Sequence, residues 1–339
     1  MEYRRLGRTG LQVSAIALGS WATIGERLND DASSALVAHA YDLGVTYFDT
    51  AETYADGRSE EVLGAALKRL RAPRESFVVS GKVFYGTHGR RPGSWGLSRK
   101  HIVEGCHATL RRTGLDHLDI LLCHRFDPDV PLEETVRAMS DLVTRGDILY
   151  WGTSEWTVTQ VAEARDIARA RGHAPPQVEQ LLYNVLERDK VEREFAPAAE
   201  DLGIGLTIWS PLAYGLLSGR YDHGVPADGR LARAGYEWLS ASAFGTDPRE
   251  ETHRRLAAFS RLAAEHTVSP SRLALAWVLR HPAVASAICG ASRPEHLSDN
   301  AGALDVGPLL DRTLLARIDA LLGMPEPPPP RTEDKETTR

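Results

Sequence analysis

The sequence predicts an α/β protein: a closed (β/α)8 TIM barrel with an N-terminal β-hairpin and a long loop after its seventh strand. Three observations carry this. Eight short runs are almost continuously apolar, as strands buried on both faces should be. Helical patterns alternate with them regularly, which favours a parallel sheet. The 339 residues exceed the about 250 of a typical barrel. The rival is an open, doubly wound sheet. A dinucleotide-binding sheet of that kind carries G-x-G-x-x-G after its first strand, and "ALGSWATIG" lacks it.

In chain order, "YRRLGRTGLQVSAI" reads as a hairpin around the turn "GRTG". The barrel strands follow as "AIALG" (15–19), "TYFDT" (46–50), "FVVSGK" (77–82), "LDILLCH" (118–124), "ILYWGTS" (148–154), "QVEQLL" (177–182), "GLTIWS" (205–210) and "SAICG" (286–290). Between them, "SEEVLGAALKRL" places Val62, Leu63, Ala66, Leu67 and Leu70 on one helical face, with Ser59 as the expected N-cap. "SRKHIVEGCHATLRRTG" runs from a cap at Ser98 to a left-handed stop at Gly114. "EETVRAMSDLVTRG" and "VTQVAEARDIARARG" stop in the same way at Gly146 and Gly172. Ser292 and Glu295 have capping-box spacing for a helix after the eighth strand, with Pro294 in its first turn. Residues 213–250 are rich in Gly, Pro and polar residues and read as one long functional loop. A single domain over 1–323 is expected, and a disordered Pro-rich, charged tail over 324–339.

Net charge −6 and a pI near 6.1 imply no basic face and no nucleic-acid partner. The three cysteines are widely spaced in apolar contexts, which argues against a disulfide framework or a metal site and for a reducing, cytoplasmic setting. The charged start "MEYRRLGRTG" has no signal-peptide core. No apolar run nears the roughly 20 residues of a membrane helix, so no membrane insertion is expected.

Barrel enzymes hold their sites at the C-terminal ends of the strands. There the second strand delivers Asp49 and, in its loop, Tyr54; the third ends in Lys82; the fourth ends in His124. Alone, each has a structural reading: His124 closes a strand, a loop tyrosine packs, a buried Asp–Lys pair is architecture. Together they form a proton-delivery set. A phenol titrates near pH 10, and an adjacent ammonium is expected to lower that value. An aspartate holds the ammonium, and a histidine donates to an oxygen on which charge develops. Such a set protonates a carbonyl oxygen while another agent delivers hydride.

"FDTAETY", the lysine of "VVSGK", the histidine after "LDILLC", "WGTSEW" and "IWSPLAYGLLSGRY" resemble the aldo-keto reductase superfamily over the whole chain before the tail. "GLSRKHIVEG", "PLEETVRAMSDLV" and "WSPLAYGLLSGRYDHGVP" are most similar to the branch of voltage-gated potassium channel β subunits and their bacterial relatives. The resemblance implies NADPH-dependent reduction of aldehydes or ketones, with Tyr54 as proton donor, Lys82 tuning it, Asp49 holding Lys82 and His124 orienting the carbonyl. It implies a cofactor site of Ser20 and Trp21 by the nicotinamide, Ser154 and Gln180 on the carboxamide, and Trp209 stacked on the ring. Ser210, Leu212, Ser218, Gly219 and Arg220 match the pyrophosphate loop. Arg230, Gly290, Ser292, Arg293, His296, Asp299 and Asn300 match the adenosine-phosphate end. His296 and Asp299 depart from the Gln and Glu more usual there. Trp21, Tyr85 and Arg125 are expected at the substrate; Arg125 steers an anionic substrate or pairs with Asp127. The loop aromatics Trp95 and Trp238 are further candidates. Two other functions fit the branch: a cofactor-sensing, β-subunit-like binding protein with slow turnover, or a keto-sugar reductase of secondary metabolism. Channel β subunits commonly carry Asn where this chain has His124. The branch also implies a homo-oligomer, a tetramer by resemblance.

Overall fold

In the computed structural model, which describes residues 1–244 and 249–322, all eight apolar runs are parallel strands. They are β3 (Ile16–Gly19), β4 (Tyr47–Asp49), β5 (Val78–Val83), β6 (Leu118–Cys123), β7 (Ile148–Ser154), β8 (Val178–Leu182), β9 (Gly205–Trp209) and β10 (Val284–Cys289). Each pairs with the next along the chain, and β10 returns to β3, so the barrel is closed. The expected hairpin precedes it as β1 (Tyr3–Arg5) and β2 (Gln12–Ser14). Its turn presses on the start of β9: a Cβ on Gly7, whose φ is +57°, would lie 2.5 Å from the Gly205 nitrogen. Leu6 and Val13 thereby join Val178 and Ala285 inside the N-terminal end of the barrel.

A period of two is hidden inside the apolar runs. On β6, Ile120 and Leu122 belong to the interior cluster, while Leu121 and Cys123 join the layer between strands and helices. The same alternation puts Tyr47 inside and Phe48 outside. Register then fixes the top layer. Asp49 follows Tyr47 by two and lies beside Ser80; Lys82 follows Ser80 by two and lies beside Leu122. His124 follows Leu122 by two. Gln180 follows the interior Val178 and pairs with Ser154 on one side and Thr207 on the other. Trp209 follows Thr207. Strand parity thus turns Asp49, Lys82, His124, Ser154, Gln180 and Trp209 to one interior at one end.

The helix stops at Gly114, Gly146 and Gly172 are all left-handed caps, and Ser98 accepts from the His101 amide as expected. Two start signals are corrected. Helix α2 (Arg58–Leu70) is entered through Ala55, Asp56 and Gly57, all at positive φ, so Gly57 is the N-cap. Ser59 sits inside the first turn, where its hydroxyl donates to the Ile24 carbonyl. Likewise α10 (Pro294–Ala301) is capped by Arg293 in extended backbone, without a side-chain cap bond, and Ser292 stands one residue too early for a capping box. The segment expected as loop over 213–250 also carries structure. It holds two 3-10 turns, Ala213–Ser218 and Arg230–Ala232, then α7 (Glu237–Phe244) and the start of α8 (Arg249–Glu265). Tail residues 324–339 and the expected domain limit at 323 lie outside the described residues. No helix among the described residues is long and apolar enough to cross a membrane.

Candidate active site

The interior top layer opens into a cavity of about 1030 Å³ bounded by the loops after β3, β4, β5, β6, β7, β9 and β10. Lys82 is fully buried behind its wall. Its ammonium donates to Asp49 Oδ2 at 2.6 Å and to the Thr50 carbonyl at 2.9 Å. Asp49 Oδ1 accepts from Ser80 at 2.6 Å and Gln180 at 3.1 Å, so both oxygens of that carboxylate are engaged. Burial opposes the Lys82 charge, but Asp49 and Tyr54 more than offset it and raise its pKa.

The Lys82 nitrogen lies 5.0 Å from the Tyr54 ring centroid. Burial nonetheless raises the Tyr54 phenol above its ordinary value; Lys82 pulls it down without cancelling that rise. Lys82 thus lowers the phenol as expected, but desolvation outweighs the ammonium, and Tyr54 holds its proton. His124 packs edge-on against Tyr54 at 6.0 Å and Tyr85 at 5.1 Å between centroids. Burial, then Lys82 and Arg125, hold its imidazole well below the usual histidine range. It is a neutral ring, and its buried Nδ1 has no hydrogen-bond partner. A protonated phenol and a neutral imidazole thus face one cavity, both able to donate to an oxygen.

From this end the cavity runs past Trp21, Ser154, Gln180, Trp209, Ser210, Leu212 and Ser218. Its other end is cationic. Arg220, which pairs with Asp228, and Arg293 and Arg27 act on His296 there, and burial followed by Arg293 lowers the His296 pKa. Gly290, Ser292, Asp299 and Asn300 complete that end. Asp299 is held by Ser269 at 2.7 Å and Arg272 at 2.9 Å. Arg230 stands apart from this group, its guanidinium 5.2 Å from the Trp21 ring centroid and beside Gly290.

Two expected cofactor residues stand off the wall. Ser20 is fully buried and donates to Thr50 Oγ1 at 3.0 Å, and Gly219 packs its open face toward Pro270. Tyr85 and Trp238 line the cavity, while Trp95 packs behind them on Phe84 and Tyr85. Arg125 lines it too and makes no ion pair with Asp127, which accepts the Leu97 and Asp129 amides instead.

Several working residues were not singled out from the sequence. Glu155 in "GTSEW" accepts the Trp209 indole at 2.9 Å, the Leu182 amide at 2.6 Å and Lys190 at 2.7 Å. Glu52 in "DTAETY" gathers the Phe84 and Gly86 amides and His101, which fixes the loop bearing Tyr85. Glu26 accepts from Tyr236 at 2.7 Å, strapping the segment after β9 to the loop after β3. The two quoted motifs contain Glu155 and Glu52, and Glu26 lies outside both; no periodic pattern marks what any of the three reaches. Backbone strain gathers at the same face: Ala22, Ala55, Asp56, Glu155, Ser210, Ala213 and Tyr214 all have positive φ.

The aldo/keto reductase family model matches residues 15–322. The chain belongs to the aldo/keto reductase family. Among its relatives, an Oryza sativa subsp. japonica protein named "Probable voltage-gated potassium channel subunit beta" is 43% identical over 98% of this chain and 99% of its own length. An Arabidopsis thaliana protein of the same name is 42% identical over 95% and 97%. Membership supports oxidoreductase chemistry on carbonyls, for which the family typically uses a nicotinamide dinucleotide.

Proposed function

We propose that this aldo/keto reductase reduces aldehyde or ketone carbonyls to alcohols, with NADPH as reductant and Tyr54 as proton donor. The observation that carries this is one cavity joining a protonated phenol, a neutral imidazole and a buried Asp–Lys pair to a cationic far end. The donor set fits a nicotinamide dinucleotide. Trp209 offers a flat shelf, Ser154 and Gln180 offer amide-binding groups, and Arg220 and Arg293 offer charge, with His296 as a neutral hydrogen-bonding ring, for phosphates, the extra phosphate of NADPH included. When bound, the reduced nicotinamide supplies the hydride.

The chain's own residues do the rest. Tyr54 and His124 donate to the carbonyl oxygen and polarise it. As charge develops on that oxygen, Tyr54 Oη gives up its proton, and the Lys82 ammonium beside the ring stabilises the phenolate left behind. Asp49 keeps Lys82 charged and aimed, and Glu155 fixes the plane of Trp209. The walls of Trp21, Tyr85 and Trp209 exclude water. The protein works as a homo-oligomer in the cytoplasm. NADPH oxidation followed at 340 nm over a carbonyl panel tests the reading; no turnover on any member would sink it.

A second reading follows from the relatives' names: a cofactor-sensing subunit docked on a membrane protein. It predicts tight, slowly exchanging NADPH with negligible turnover, and His124 argues against it. A keto-sugar reductase differs from the first reading only in substrate.

A further inference from the structure

We infer that the substrate carries an anion, a carboxylate or a phosphate, near its carbonyl, and that Arg125 anchors it. The inference rests on the carbonyl-reduction reading above and adds the substrate class. Arg125 leaves β6 immediately after His124 and lines the cavity with Tyr54 and His124. It makes no ion pair among the described residues. Its Nη1 reaches only the His124 carbonyl and, at 3.5 Å, the Ser154 hydroxyl, the long edge of a hydrogen bond.

Three nearby carboxylates are already engaged, and a fourth, Glu187, acts on Tyr214 as Arg125 does but does not line the cavity. Asp49 is taken by Lys82, Ser80 and Gln180; Glu155 by Lys190, Trp209 and Leu182; Asp127 by two backbone amides. At neutral pH the Asp49–Lys82 pair is neutral and His124 is uncharged, so among the described residues Arg125 is the charged group lining the reacting end that lacks an ion-pair partner. A neutral carbonyl compound entering this site displaces water from that guanidinium without replacing it. An anionic one provides a charge-assisted, bidentate partner.

The cofactor does not claim Arg125. The other cations of the cavity lie elsewhere: Arg27, Arg220 and Arg293 act on His296 at the far end and Arg230 sits over Trp21, whereas Arg125 acts on Tyr54, His124 and Tyr214. The far group suits the phosphates of a dinucleotide, and the near one is left for the substrate. Arg125 takes no part in the bond changes; it is a specificity-determining residue.

The test compares 4-carboxybenzaldehyde with benzaldehyde, and glyceraldehyde 3-phosphate with glyceraldehyde, each with NADPH. Wild type, Arg125→Gln and Arg125→Lys are assayed after near-UV circular dichroism confirms folding. Wild type is expected to favour the anionic member of at least one pair by tenfold or more in kcat/KM, carried by KM; which pair responds tells carboxylate from phosphate. Arg125→Gln should lower that preference at least tenfold, and Arg125→Lys should keep part of it. Absence of a preference in wild type, or a preference that survives Arg125→Gln, overturns the inference. Calorimetric titration of the protein, with and without NADP+, by 4-carboxybenzyl alcohol and by glycerol 3-phosphate gives a readout independent of turnover. If no aldehyde is reduced, the reductase reading fails, yet saturable binding abolished by Arg125→Gln still supports the anion site, and no binding of either anion overturns it.

Discussion

Replacing Lys82 by Met isolates the charge at the heart of the site. Lys82 is fully buried and Asp49 nearly so, with 2.6 Å between their charged atoms. Removing one member of such a pair costs about 3–5 kcal/mol, because the other is left as an unpaired buried charge. Asp49 would keep its bonds from Ser80 and Gln180, which places the loss near the lower end, about 3 kcal/mol. Asp49→Asn alone strands Lys82 with the Thr50 carbonyl. In the Asp49→Asn/Lys82→Met double variant neither charge remains, so the double loss should fall short of the sum by about 1–3 kcal/mol. Urea unfolding of the unliganded protein measures all four corners. Since the folded Lys82 pKa is raised, its contribution is complete below the ordinary lysine value and is lost only as pH rises through the folded one. The Lys82→Met deficit should therefore be equal at pH 7.5 and pH 9, both above the range in which His124 titrates. A Lys82→Met loss under about 1 kcal/mol, or additive single losses, would refute the reasoning.

Three further outcomes follow. The depressed His124 pKa means wild-type stability is present above about pH 6.5 and falls as pH drops toward the folded value. His124→Asn should thus gain thermal stability relative to wild type between pH 7.5 and pH 5, while kcat falls about 10- to 1000-fold; scanning calorimetry and NADPH oxidation check both. Glu155→Ala leaves the Trp209 indole without its acceptor and Lys190 without its partner, so tryptophan fluorescence titration should show NADPH bound about tenfold more weakly or worse, with 2′,5′-ADP affinity unchanged. Tyr236→Phe removes the shorter link to Glu26 and leaves the 3.5 Å pair with Arg233, and should speed NADP+ release about fivefold in stopped-flow displacement, as a half-exposed charge-assisted bond implies.

The barrel was legible because its strands are buried on both faces: "LDILLC" is apolar whichever side Leu121 or Leu122 takes. The same fact hid which side each takes, and register alone turned Lys82 and Gln180 inward. Glycine stops were readable because a left-handed cap has few solutions. Of the helix starts, Ser98 was readable as a cap, but two were not, since the strained Ala55–Gly57 turn and the extended Arg293 override side-chain signals at Ser59 and Ser292. The contacts of Glu155 with Trp209 and of Glu26 with Tyr236 join distant segments and leave no trace in local pattern. The pull of Lys82 on the Tyr54 phenol was legible, but the larger opposing effect of burial was not, because sequence names the neighbouring ammonium and not the depth of burial.

The central claim is that Tyr54 delivers the proton that completes carbonyl reduction. Single-turnover decay of NADPH fluorescence, in enzyme saturated with NADPH and mixed with an aldehyde, measures that step in wild type and in Tyr54→Phe. The account predicts a fall of about 100-fold or more in the variant, with NADPH affinity retained. Equal decay rates in the two proteins would contradict it.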